Sequence, residues 1–435
     1  MKKSIFNFLL LLIFTNCVEP FDLVNEVDGS ELESTLIVEG TLTNELKRQC
    51  ILLSRPSDFE VVNEQDSIFD PNVNVLPIPP TINFERNAQV SINDTNGNQY
   101  SFSETSPGTY LSDTQFSAQQ NIAYNLQINT TDGTSYSSTP ETFEGIAQID
   151  DIYTARDFNE TDVEGVFIYI DASSSDAGAN YYRYEYEETY KIIAPDWRPE
   201  DFVLSNYDPC ALPQITYDLE IIFRDNEEGK VCYGTDPSEG IVQNTTLGLQ
   251  ENRATRFPVR FLNRENHIIS HRYSLLVKQY VQSVNAYNYY RKLKSFSSSE
   301  NVFSSVQPGL LEGNIKADSD SEKKVLGYFE VASVSEERVY FNYADLFPDE
   351  PLPDYAIPCV PSGPPLEHTS YCFTGMMGSL CPLSIVESVN IDLIAYYELN
   401  SEGLGSCPGP YLVTSRACGD CTVLGESNVP DFWIE

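Results

Sequence analysis

The chain has 435 residues, enough for two or three domains rather than one. Acidic residues outnumber basic ones 65 to 26, a formal charge of −39 that excludes nucleic acid as a partner and electrostatic docking on anionic lipid. Hydrophobic residues at 41% suffice to build cores, while only three histidines leave few groups that titrate near neutrality.

Lys2 and Lys3 form a positive start, and Ile5 to Phe14 is apolar except for Asn7. About 20 apolar residues are needed to span a bilayer, so this stretch reads as a signal peptide. Cys17 follows directly, as in a lipoprotein signal in which residues 1–16 are removed and lipid is attached to Cys17. A plain secretory signal is the alternative. Loss of the two lysines takes the charge from −39 to −41. Residues 17–31 are acidic and read as a tether.

Residues 32–145 have the pattern of an immunoglobulin-like β-sandwich. Thr35 to Thr43 alternates as a strand, and Cys50 to Leu53 is a short apolar one. Asn96-Gly97 and Asp132-Gly133 read as two-residue hairpin turns, the first between Ala88–Asn93 and Gln99–Phe102, the second between Tyr124–Asn129 and Ser135–Ser137. Asp94 to Asn98 also resembles part of a calcium loop but lacks the distal glutamate. The Pro- and acid-rich insertion 56–86 contains Asp66-Ser67-Ile68, a short O-glycosylation pattern.

Residues 146–435 read as a larger β-rich domain with one or two helices and a disulfide-rich tail, 359–421, so the fold class is mostly β. Along Tyr181 to Ile193, Tyr182, Tyr184 and Tyr186 share one face, and Arg183, Glu185 and Glu187 the other. The tyrosines could stack a sugar or aromatic ligand, or simply form a half-buried strand face. Tyr273 to Gln282 is a strand. Ser283 then caps a helix through Phe296, with Tyr287, Tyr290, Leu293 and Phe296 near one apolar face. Strands are expected over Leu326–Ala332, Val339–Tyr343 and Ser388–Leu399, with a long loop over Asp345–Pro365.

Residues 253–294 carry nine basic groups and one acidic one, a net +8 inside an acidic chain. Arg253, Arg256, Arg260 and Arg264 are therefore candidate anion-binding residues, or else partners for carboxylates such as Glu185 and Glu187. The disulfide candidates are Cys210, Cys232, Cys359, Cys372, Cys381, Cys407, Cys418 and Cys421; Cys210 and Cys232 could close one loop, and the last six allow 15 connectivities. Cys50, the odd one, is expected to be buried as a small hydrophobe. Cys418-Gly419-Asp420-Cys421 has the spacing of a redox or zinc motif, but without a second such pair the disulfide reading prevails. His267 and His271, four apart, lack a nearby third zinc ligand, and His368 is isolated. No phosphate loop, nucleophile elbow or metalloprotease helix is present, so no cofactor, metal or catalytic residue is expected.

Seven stretches together carry a family likeness. They are Cys17-Val18-Glu19-Pro20-Phe21, Leu36 to Gly40, Tyr182 to Tyr190, Ala286 to Leu293, Gln307-Pro308 with Glu312 to Ile315, Val325 to Phe329, and Cys418 to Cys421 with Pro430 to Trp433. In these the chain resembles the Bacteroidota outer-membrane lipoproteins of domain-of-unknown-function family 4249. The resemblance implies an outer-membrane, lipid-anchored protein of a kind often encoded beside a TonB-dependent receptor, and no agreed activity. The expected role is thus a non-enzymatic binding or accessory partner of a TonB-dependent transporter in nutrient uptake. A structural or adhesive surface protein and an envelope hydrolase using a carboxylate pair are the alternatives.

Overall fold

The structure is a computed structural model describing residues 35–56, 83–224, 226–297, 311–319, 323–368, 383–403 and 408–435. The signal segment, Cys17, the tether, Asp66-Ser67-Ile68, Cys372, Cys381 and Cys407 lie outside the described residues.

The chain is mostly β. The N-terminal part contributes β1 (Leu36–Thr43), β2 (Cys50–Arg55), β3 (Asn83–Phe84), β4 (Gln89–Asp94), β5 (Gln99–Ser106), β6 (Thr109–Ser112), β7 (Tyr124–Asn129) and β8 (Ser135–Ser138). Next come β9 (Gln148–Phe158), β10 (Glu164–Ser173), β11 (Tyr181–Ile193), β12 (Glu200–Asp208), β13 (Thr216–Phe223), β14 (Val231–Pro237), β15 (Val242–Thr245), β16 (Arg253–Asn263) and β17 (Arg272–Val281). Helix α1 (Val284–Ser297) precedes β18 (Ile315–Ala317) and β19 (Val325–Asn342). The remainder holds α2 (Tyr343–Leu346), α3 (Ile385–Asn390), β20 (Ile394–Leu399), β21 (Tyr411–Ser415) and α4 (Arg416–Gly419).

Alternation decides which side chains enter the first sandwich. Leu36, Val38 and Leu42 of β1, Ile51 and Leu53 of β2, Leu126 and Ile128 of β7 and Tyr136 of β8 point into one core. The same parity turns Cys50 outward, so this free thiol is half-buried rather than a core residue. Its pKa is raised by what burial it has. Both hairpin turns are three-residue loops ending in a glycine with positive φ (Gly97 +87°, Gly133 +84°), not two-residue turns. Asp94 accepts bonds from the Asn96 and Asn98 backbone amides, which accounts for the loop without calcium.

The first sandwich is not confined to residues 32–145. β1 pairs in parallel with Val325–Ala332 of β19, and β18 adds to β8, bringing Ile315, Ala317, Phe329 and Val331 into the core. Asn314 joins the two returning strands, its side chain bonding both the N–H (2.9 Å) and the carbonyl (2.8 Å) of Phe329. Sequence reading divided β19 in two. It is one strand, whose second half, Ser333–Asn342, pairs with β17. The order β14-β11-β17-β19-β1-β2-β6-β5-β4-β7-β8-β18 is therefore one continuous sheet shared by both halves of the molecule.

In the second sandwich β11, β17 and β19 face the sheet β16-β10-β9 across a core that includes Val166, Ile168, Ile170, Tyr182, Tyr184, Leu275 and Val277. A smaller closing unit holds the β12–β13 and β20–β21 hairpins around Phe202, Ile385, Tyr396 and Val413. The expected strand Ser388–Leu399 begins as helix α3, because the Ser384 side chain accepts from the Glu387 N–H and caps a helical turn before β20 starts.

Among the described residues, the disulfides Cys232–Cys421 and Cys359–Cys418 fasten the closing unit. The proposed Cys210–Cys232 loop is thus wrong. Cys232 is fully buried on β14, whereas Cys210 sits exposed at the end of the β12 hairpin and is bonded elsewhere. Cys418 and Cys421 are both cross-linked, but to different partners.

Candidate functional site

The continuous sheet has an outer face where the two sandwiches meet, and α1 lies against it. Ser283 caps the helix, accepting from the Ala286 N–H at 3.1 Å. Tyr289 and Tyr290 contact Tyr328, and Tyr287 contacts Tyr181. Beside this helix opens a cleft of about 970 Å³, near the upper end of small-molecule sites. Ile37, Glu39 and Thr41 of β1, Arg183, Glu185 and Glu187 of β11, Lys278 of β17, and Leu326 and Tyr328 of β19 line it. Leu293 and Phe296 of α1 and the loop Pro237 to Ile241 form the walls.

The floor is a buried charge cluster. Arg183, 5% exposed, pairs at 2.8 Å with Glu330, which is fully buried, and also bonds Glu185. Its guanidinium lies over the rings of Tyr280 (4.5 Å) and Tyr290 (4.7 Å). Gln282 donates to the second Glu330 oxygen at 2.6 Å, and the Tyr280 hydroxyl donates to Glu185 at 3.0 Å. Burial opposes the charge on Arg183, but Glu330 and Glu185 outweigh it and raise its pKa. Tyr280 and Tyr290 are held neutral, chiefly by burial and then by the same carboxylates.

A second buried carboxylate supports the helix start. Glu141 accepts from Tyr328 (2.7 Å), Ser283 (3.0 Å) and Asn314 (3.3 Å), and burial raises its pKa despite these bonds. Beside it Gly327 has φ +101°, and a Cβ there would lie 1.8 Å from the Val38 carbonyl. Only glycine lets β19 approach β1 so closely at the cleft edge.

The candidate residues read from the sequence separate sharply. Tyr182 and Tyr184 are each 1% exposed and belong to the second core, with Tyr186 packed against it. Their stripe packs into that core, Tyr184 and Tyr186 border the cleft as well, and the opposite face of the same strand supplies Arg183, Glu185 and Glu187 to it. The arginines are engaged within the chain: Arg253 with Asp150 (3.3 Å), Arg256 with Asp157 (3.0 Å), Arg260 with Glu188 (3.0 Å), and Arg264 with Glu164 (3.1 Å) and Glu350 (2.9 Å). Pairing was the correct reading, but Glu185 and Glu187 are not the partners. Their odd positions turn them away from β16, while even-numbered Glu188 points between the sheets toward Arg260. His267 meets Tyr190 edge-on, and burial lowers the pKa of both His267 and His271. His368 bonds the Tyr207 hydroxyl at 2.7 Å. Among the described residues the one cluster with metal-ligating atoms is Asp196, Cys359 and Cys418, where both sulfurs belong to a disulfide. Glu39, Tyr289 and Glu330 escaped the sequence, and Lys278 entered only as one basic group of the 253–294 stretch; the parity of β11 was the signal that pointed toward them.

No helix among the described residues is long and apolar enough to cross a membrane. A search of curated proteins found no match. The profile described as "Domain of unknown function (DUF4249)" matches residues 20–338, spanning both sandwiches and the β12–β13 hairpin and ending within β19, before the C-terminal segment that carries β20, β21, Cys359, Cys418 and Cys421. With most of its length matched, including every strand that borders the cleft, the chain belongs to the DUF4249 family.

Proposed function

We propose that this chain is a lipid-anchored outer-membrane protein of the cell surface whose cleft binds a ligand, acting as a non-enzymatic partner of a TonB-dependent transporter in nutrient uptake. The observation that carries this reading is the cleft itself, a large concave site with aromatic walls and a few convergent charged groups. Four of the stretches that carry the family likeness, 36–40, 182–190, 286–293 and 325–329, contribute residues to it. The Cys17 motif supplies the anchor, and the acidic segment after it spaces the negatively charged body from an anionic surface.

Affinity-tagged protein extracted from native outer membranes is expected to bring a TonB-dependent transporter with it. Recovery without any transporter removes the uptake role. Cys17→Ser is expected to move the protein from the membrane fraction to the soluble one, and continued membrane retention rules out the lipid anchor.

A further inference from the structure

The outer face that forms the cleft floor continues past the cleft, and its other half is already occupied. There the closing segment 429–435 contacts β19, β17, β11 and β14. Phe432 stacks on the Arg338 guanidinium at 3.6 Å, and its carbonyl accepts from the Tyr340 hydroxyl at 2.6 Å. Trp433 meets Tyr233 and Tyr340 edge-on, the Ile434 carbonyl accepts from Arg272, and Glu435 pairs with Lys191 at 2.9 Å. A short aromatic segment whose charged residues, Asp431 and Glu435, are both acidic thus covers a half-face whose charged contacts are Lys191, Arg272 and Arg338.

The open half has the same construction with the opposite sign. Aromatic and apolar groups (Tyr289, Leu293, Phe296) again flank charged ones, but acid predominates: Glu39, Glu185, Glu187 and Glu239 line the cleft against Lys278 and Arg183, the charge of Arg183 is matched by the buried Glu330, and Glu187 also reaches Arg338 of the adjoining half at 3.5 Å. Glu185 and Glu187 keep 46% of their side-chain surface exposed. We propose that the cleft takes an extended peptide segment of a partner protein, one carrying basic side chains beside aromatic or apolar ones, seated as the closing segment is seated on the adjoining half. This rests on the reading of the cleft as a binding site and names its ligand class by charge complementarity.

The test uses the full chain and fluorescence anisotropy with short synthetic peptides alternating lysine with leucine or tyrosine, against counterparts in which glutamate replaces lysine. The basic peptides are expected to bind at least about tenfold more tightly, with affinity falling as salt is raised. The double variant Glu39→Lys with Glu187→Lys should lose about tenfold, whereas Glu160→Lys with Glu251→Lys, an equal charge change at exposed sites away from the cleft, should bind as the parent does. Thermal melting confirms that both variants fold. Equal binding of both peptide types, or equal loss in both double variants, overturns the inference. Binding of neutral oligosaccharides in place of peptides also overturns it and leaves the cleft standing as a binding site. Cleft-dependent peptide binding in a protein that recovers no transporter supports the inference while removing the uptake role.

Discussion

The first sandwich and the closing unit are stabilised in different ways. The former has a broad apolar core drawn from many alternating strands and, among its described residues, a single cysteine that is free. The latter gathers two hairpins around a small core of Phe202, Ile385, Tyr396 and Val413, and adds, among the described residues, the Cys232–Cys421 and Cys359–Cys418 disulfides and an ion-pair network. In that network Arg416 bonds Asp201 (3.1 Å) and Asp420 (2.9 Å), and Arg224 bonds Asp201 (2.7 Å). Where the apolar core is broad, burial supplies the free energy. Where it is small, cross-links that restrict the unfolded chain take over.

The sharpest way to break this contrast is to damage each region by its own mechanism. Phe329→Ala removes a fully buried ring from the first core and should cost about 3–5 kcal/mol in denaturant melts, with or without reductant. Replacing both Cys232 and Cys421 by serine should cost about 2–4 kcal/mol and reduce the sensitivity of the closing unit to reductant, the remainder staying with Cys359–Cys418 and the bonded Cys210. Equal sensitivity of the two regions to reductant would end the distinction. Ser283→Ala, at the junction, deletes a helix cap and one donor to Glu141, and should cost about 1 kcal/mol while loosening α1 over the cleft, read by hydrogen exchange.

The smallest effect is a slope. The folded-state pKa of Glu141 is raised above its ordinary 4.5, so the folded chain holds this proton more firmly than the unfolded one. Its contribution to stability should therefore decline as pH rises from about 4.5 through the folded value and stay at its lower level above that window. Glu141→Gln should flatten that part of the stability–pH curve, and an unchanged slope would show that the carboxylate is not coupled to folding.

Much of the local structure was legible. Alternation along β11, glycines at hairpin turns, the serine before α1 and the cross-linked C-terminal region each carry their signal within a few residues. What escaped depends on contacts that no local pattern encodes. β1 and β19 meet across about two thirds of the chain (Thr41 and Glu330 are 289 positions apart), so residues 315–332 could not be assigned to the first sandwich by inspection. Alternation told which residues of β11 share a face, not which face is covered, so the tyrosines drew attention and the cleft residues behind them did not. Short apolar runs such as Ile385-Val386 fit helix or strand equally well, and only the Ser384 cap resolves them.

The shared strand β19 has a mechanical consequence. A pull on the residues preceding β1, along the strand direction, reaches first an eight-residue parallel ladder between β1 and β19. Such a load shears all of those hydrogen bonds together instead of opening them one at a time. Through the unbroken length of β19 it passes from one sandwich into the next, so that under tension the two behave as a single rod rather than two beads on a string.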